Sequence, residues 1–160
     1  MAEGKKHHYS VNVEWTGNTG SGTSHYSKYS RDHDLSCGDK TTIKGSADAA
    51  FKGDASRWNP EDMMVGSISA CHQLWYLHLC SVAGVVVLSY VDEAEGVMVE
   101  DAKKGGFFTE VILKPKVTIT ADSDPAKAKE LHEEAHKLCF IANSVNFPIS
   151  HDPTIVISEG

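Results

Sequence analysis

The 160-residue sequence predicts an α+β fold, and three observations carry that expectation. Strand-like stretches precede a long apolar helix, further strands follow it, and a second helix and a last strand close the chain. The first helix has a well-marked start, and the second shows apolar residues at helical spacing. No repeat and no linker divides the sequence, so a single domain over residues 1–160 is expected, with 1–8 a flexible N-terminus.

Taken in order, residues 9–17 (YSVNVEWTG) alternate and predict a strand, and residues 18–23 form a Gly/Ser/Thr turn cluster. Residues 24–45 are polar and predict short strands around a loop that carries Arg31, Asp32, His33 and Asp34. Residues 53–58 read as another loop. Asn59 then suits an N-cap, Pro60 the first helical position, and Glu61 and Asp62 the positive helix end. Residues 63–83 are apolar on nearly every face, which predicts a central, buried helix ending at Gly84. Residues 85–90, 95–99 and 107–120 are rich in Val, Ile, Phe and Thr and predict three strands. Asp124 and Pro125 open a second helix to about residue 142, with Ala128, Leu131, Ala135, Leu138 and Cys139 on its apolar side. Residues 154–158 predict a closing strand.

Composition narrows the function. Apolar residues make up 41% and charged residues 23%, as in an ordinary soluble domain. A formal charge of −7 argues against nucleic acid, whose phosphates need a basic face. Residues 1–8 lack the apolar run of a signal peptide. The apolar region 63–88 is broken by His72, Gln73, His78 and several serines, which suits a buried helix and strand better than a membrane span. A cytoplasmic location is the resulting expectation. Cys37, Cys71, Cys80 and Cys139 show no CxxC pair, so in a reducing compartment they read as free, buried or catalytic thiols.

Cys71 lies in Ser69-Ala70-Cys71-His72, about three turns into the first helix, where the dipole gives a thiolate little help. To react as a thiolate it needs a nearby cation. His72 points about 100° away on the helix, so an arginine from elsewhere is the natural partner, and Arg31, in the polar loop, is the candidate. Arg31 also has an ordinary alternative, a surface ion pair with Asp32 or Asp34.

Residues 59–64 (NPEDMM) with Ser69-Ala70-Cys71-His72, residues 138–144 (LCFIANS) and Tyr29-Ser30-Arg31-Asp32 together resemble the OsmC/Ohr family of hydroperoxide reductases, in that family's order and over residues 9–158. The resemblance implies antiparallel sheets around two central helices in an intertwined homodimer. It implies a peroxidase of organic hydroperoxides, and to a lesser degree of hydrogen peroxide, with no cofactor and no metal. Cys71 would attack the peroxide and become a sulfenic acid, and Cys139 would condense with it to a disulfide that an external dithiol reduces. Arg31 would lower the thiolate pKa and Glu61 would orient Arg31. The arginine stands in Tyr-Ser-Arg-Asp-His rather than Gly-rich surroundings, and Phe140 follows Cys139 where the Ohr branch has proline. Both features favour the OsmC-like side.

Glu61 and Cys71 are ten residues apart, about 15 Å on a straight helix. Either the helix breaks near Gly66 and Ser67, or Glu61 serves a site on another subunit. A helix N-terminus also explains Glu61 by itself. Residues 132–136 (HEEAH) match HExxH, the two-histidine zinc pattern, which sets a zinc-dependent hydrolase on His132 and His136 as a rival reading. Its extended downstream ligands are missing, which favours a solvated helix face; Cys139 near His136 makes an adventitious metal site conceivable. A non-enzymatic stress or ligand-binding protein on the same fold is the other rival. Cys37 and Cys80 read as non-redox residues, and His72, Trp75 and His78 as packing groups. Trp58, Met63 and Met64 either pack or line an apolar pocket for the organic part of a peroxide.

Overall fold

The computed structural model describes residues 4–159, which divide after Met63 into two compact units. Residues 1–3 of the expected flexible N-terminus lie outside the described residues, while 4–8 are exposed and carry no regular structure.

The first unit is a three-stranded antiparallel sheet in the order β1 (Asn12–Trp15), β2 (His33–Ser36), β3 (Ile43–Gly45). The segment between β1 and β2 folds back at Gly17 and Ser30, where the Ser30 amide donates to the Gly17 carbonyl at 2.9 Å. A side chain at Gly17 would collide with the Ser30 backbone, so glycine is required there. A single 3₁₀ turn, Ala49–Phe51, is closed by Lys52 in the left-handed region.

Helix α1 (Pro60–Ala83) starts where the sequence predicts, with Asn59 Oδ1 accepting from the Asp62 amide at 2.7 Å, a cap worth about 1 kcal/mol. It ends at Gly84, whose φ of 75° only glycine adopts without cost. The helix runs unbroken through Gly66 and Ser67, so the expected alternative of a break there does not hold. Its burial differs from expectation. Only Ile68, His72, Tyr76 and Cys80, a stripe of residues four apart, are buried. Leu74 and Val82 stay 68% and 74% exposed, because within one chain the sheets and second helix cover a single face.

The second unit holds two mixed sheets, ordered β4 (Val87–Asp92), β7 (Pro115–Ile119), β9 (Thr154–Ile157) and β5 (Glu95–Asp101), β6 (Gly105–Leu113), β8 (Ile149–His151). The sheets are not wholly antiparallel: β6 pairs with β8, and β7 with β9, in parallel. The stretch 107–120 is two strands in different sheets, divided at Lys114. Asp92 braces that corner, accepting from the Lys114 amide at 2.7 Å and from the Ser69 hydroxyl. Helix α2 (Pro125–Leu138) is capped by Asp124, which accepts from the amides of Ala126 and Lys127. It is shorter than predicted. Cys139 is its C-cap in extended conformation, and a 3₁₀ turn, Ala142–Ser144, follows. One core joins Tyr76, Cys80 and Val85 to Val117, Ile119, Ala128, Leu131 and Ala135; another joins Ile68 to Val111 and Leu113.

Candidate active site

Two of the four expected site residues come together. Cys71, half-buried on α1, faces Cys139 at the end of α2 closely enough for the thiols to interact by hydrogen bonding. Both are free thiols, in unequal surroundings. Cys139 is 1% exposed and receives the Ala142 amide at 3.4 Å. Burial, followed by the hydrogen bond with Cys71, pushes the Cys139 thiol up to about 11. Cys71 instead lines a cavity of about 380 Å³ with Leu74, Trp75, His78 and Phe140. Phe140 packs edge-to-face on Trp75 with centroids 5.5 Å apart, and the backbone that carries it is tied down by Ser144 Oγ donating to the Phe140 carbonyl. Trp58, Met63 and Met64 are not among the lining residues. Cys80 is buried in the core beside Tyr76, on a different face of α1 from Cys71, and its thiol is pushed up by burial. Cys37 is half-buried after β2.

In the first unit Arg31 lies between two aromatic faces. Its guanidinium carbon is 4.2 Å from the Tyr26 ring centre and 4.1 Å from that of Tyr29. Its nitrogens donate to the Tyr29 and Tyr26 carbonyls at 2.7 and 2.8 Å. The ion pair with Asp32 or Asp34 belongs to Arg57 instead, at 3.6 and 3.8 Å. Among the described residues no ion pair joins Arg31 to Glu61, so within one chain the expected orienting contact is not made.

A third group of residues was not anticipated. His72 and His132, both buried, share a hydrogen bond of 3.0 Å between Nε2 and Nδ1. His132 stacks on Tyr76 at 3.8 Å, and Tyr76 Oη donates to the Ala128 carbonyl at 3.0 Å. His151 on β8 lies 5.6 to 6.0 Å, centre to centre, from His72, His132 and His136. Burial holds His72 at about 4 and His132 at about 3, with the neighbouring histidines adding to the effect. His132 therefore does not belong to a solvated helix face. Its Nδ1 is taken by His72 while His136 turns toward His151, and among the described residues no three ligating side chains are arranged to hold a metal. The sequence marked His72 only as a packing group, and nothing in it signalled β8, which brings in His151.

The comparisons agree with this architecture. The OsmC-like protein family matches residues 53–153, and the chain belongs to it. An OsmC-like protein of unknown function from Vibrio cholerae is 27% identical, with a TM-score of 0.80 over 92% of this chain and 99% of its own. An organic hydroperoxide resistance protein from Legionella pneumophila is 16% identical, with a TM-score of 0.67 over 94% of this chain and 99% of its own. One from Elizabethkingia anophelis is 17% identical, with a TM-score of 0.68 over 96% and 100%. A comparison with curated proteins finds no match. Among the described residues no helix is long and apolar enough to cross a membrane.

Proposed function

We propose that the protein is a thiol-dependent peroxidase that reduces organic hydroperoxides through Cys71 and Cys139. One observation carries the reading: a cavity-facing thiol paired with a buried thiol at the end of another helix. The difference in exposure supports a division of roles. Cys71 is open to a ligand in the cavity and is the peroxidatic residue; Cys139 is sealed from it and is the resolver.

In the first step the Cys71 thiolate attacks the distal oxygen of ROOH. The S–O bond forms, the O–O bond breaks, and the alkoxide leaves and takes a proton to become the alcohol. Cys71 is left as a sulfenic acid. In the second step the Cys139 sulfur attacks the Cys71 sulfur, and the hydroxyl leaves with the Cys139 proton as water. An external dithiol then reduces the disulfide by two exchanges. The apolar wall of Leu74, Trp75 and Phe140 suits the organic part of the peroxide and gives hydrogen peroxide nothing to hold. The hydroperoxide resistance proteins of the same fold support this substrate class.

Arg31 is the proposed activating cation and Glu61 its partner. The aromatic clamp leaves the Arg31 charge without a carboxylate among the described residues, and a homodimer, with Glu61 supplied by the second subunit, completes the reading. A reducing, cytoplasmic setting would keep the cycle turning. The test is to treat the reduced protein with cumene hydroperoxide and count thiols. Loss of two of the four, with Cys37 and Cys80 still free, is the expected result; four unchanged thiols would sink the reading.

A further inference from the structure

The geometry points to His72 and His132 as a proton-operated clasp between α1 and α2 that positions Cys139 against Cys71 for disulfide formation. The inference rests on the proposed pairing of these cysteines and concerns how they are held.

Each half of the clasp is close in sequence to one thiol. His72 follows Cys71 directly on α1, and Cys139 lies seven residues beyond His132, two turns along the same side of α2. The bond between His72 Nε2 and His132 Nδ1 is a direct side-chain bridge between the two helices. Tyr76 supplies a second, through its hydroxyl to Ala128 and its ring on His132. These contacts tie together the two helix segments that carry the sulfurs.

The bridge needs one ring to donate and the other to accept, and burial favours the neutral pair. The remaining nitrogens, His72 Nδ1 and His132 Nε2, are buried and have no partner. An added proton would place a further N–H there with no acceptor, and a second would turn the shared contact into two facing donors. The groups around the pair do nothing to stabilise a charge. His136 on α2 and His151 on β8 face it with rings that gain positive charge on protonation; Tyr76 on α1 and Tyr90 on β4 are phenols whose pKa burial raises. Of the carboxylates at the edge of the cluster, Glu133 is exposed and pairs with His151 at 3.4 Å, and Asp92 acts on Tyr90. The low proton affinity of His72 and His132 follows from the same burial. Acid therefore strains the contact that holds the thiols in register.

The test measures the Cys71–Cys139 disulfide equilibrium against glutathione, which needs no peroxide. The protein dithiol and glutathione disulfide exchange to the protein disulfide and two glutathiones. The equilibrium is followed from about pH 8 down to about pH 3, through the values of about 4 and about 3 at which burial holds the pair. At the upper end His132→Leu should lower the equilibrium constant about tenfold, the size of one buried hydrogen bond. His132→Asn, whose amide can still meet His72 Nε2, should stay near wild type there. On acidification the wild-type constant should fall relative to that of His132→Asn, since thiol titration is common to both. Should His132→Leu fail to fold, the comparison of wild type with His132→Asn decides. Equal constants at every pH would overturn the clasp, as would the absence of a Cys71–Cys139 disulfide in the wild type. A disulfide that forms with glutathione but not with hydroperoxide would refute the peroxidase reading and leave the clasp standing.

Discussion

Cys71 and His72 are neighbours on one helix and belong to opposite environments. Cys71 opens on an apolar cavity with Trp75 and Phe140, while His72 is sealed in a cluster of histidines and Tyr76. A step of about 100° around α1 separates a place where a ligand can react from a place where a proton is unwelcome. The contrast teaches that exposure on α1 is set by which face the remainder of the chain covers. On the proposed reading, the chemistry belongs to the open face and the geometry that aligns the thiols to the closed one.

The largest effects should fall on the open face. Cys71→Ser should abolish hydroperoxide consumption, whereas Cys139→Ser should consume one equivalent and accumulate a sulfenic acid, trapped and weighed by mass spectrometry. The opposite assignment of losses would reverse the roles. Arg31→Ala should slow the peroxide step about a hundredfold, in line with removal of one charge-stabilising donor, without changing the disulfide equilibrium with glutathione. An unchanged rate would remove Arg31 from the mechanism. Phe140→Ala should reduce kcat/KM for cumene hydroperoxide about tenfold by removing one wall of the cavity, with little change for hydrogen peroxide. Equal losses for both substrates would show that Phe140 does not contact the organic group.

The closed face should show itself in stability and in pH. The folded values of His72 and His132, about 4 and about 3, lie below the unfolded value of about 6.5. The unfolded chain therefore binds more protons, so this contribution is fully present above about 6.5 and is lost as the pH falls through the folded values. Unfolding near pH 5 should take up about two protons from this pair, read from the pH dependence of urea unfolding. A dependence that His72→Gln leaves unaltered would contradict the burial of a neutral pair. Resolution should respond on the alkaline side: with Cys139 raised to about 11, disulfide formation should accelerate up to about tenfold per pH unit as its thiolate fraction grows.

Much of the frame was legible because it is written in local chemistry. Asn59-Pro60-Glu61 and Asp124-Pro125 mark both helix starts, and Gly84 marks the end of α1. The division of 107–120 was hidden because apolar residues run on either side of Lys114 and Pro115, and only Asp92, distant in sequence, makes the corner. Cys139 looked helical because apolar spacing continues through Ile141, although the chain turns extended at the cysteine itself. Arg31 was recognisable by its motif, but its clamp between Tyr26 and Tyr29 is a loop conformation that no periodicity announces. His151 arrives on a three-residue strand too short to be seen in advance.

The central claim is the pairing of an open and a sealed thiol, and peptide mapping after one equivalent of cumene hydroperoxide tests it most directly. A single disulfide joining Cys71 to Cys139, formed in step with release of the alcohol, is the result expected. Peroxide consumed without that bond, or a bond involving Cys37 or Cys80, would contradict it.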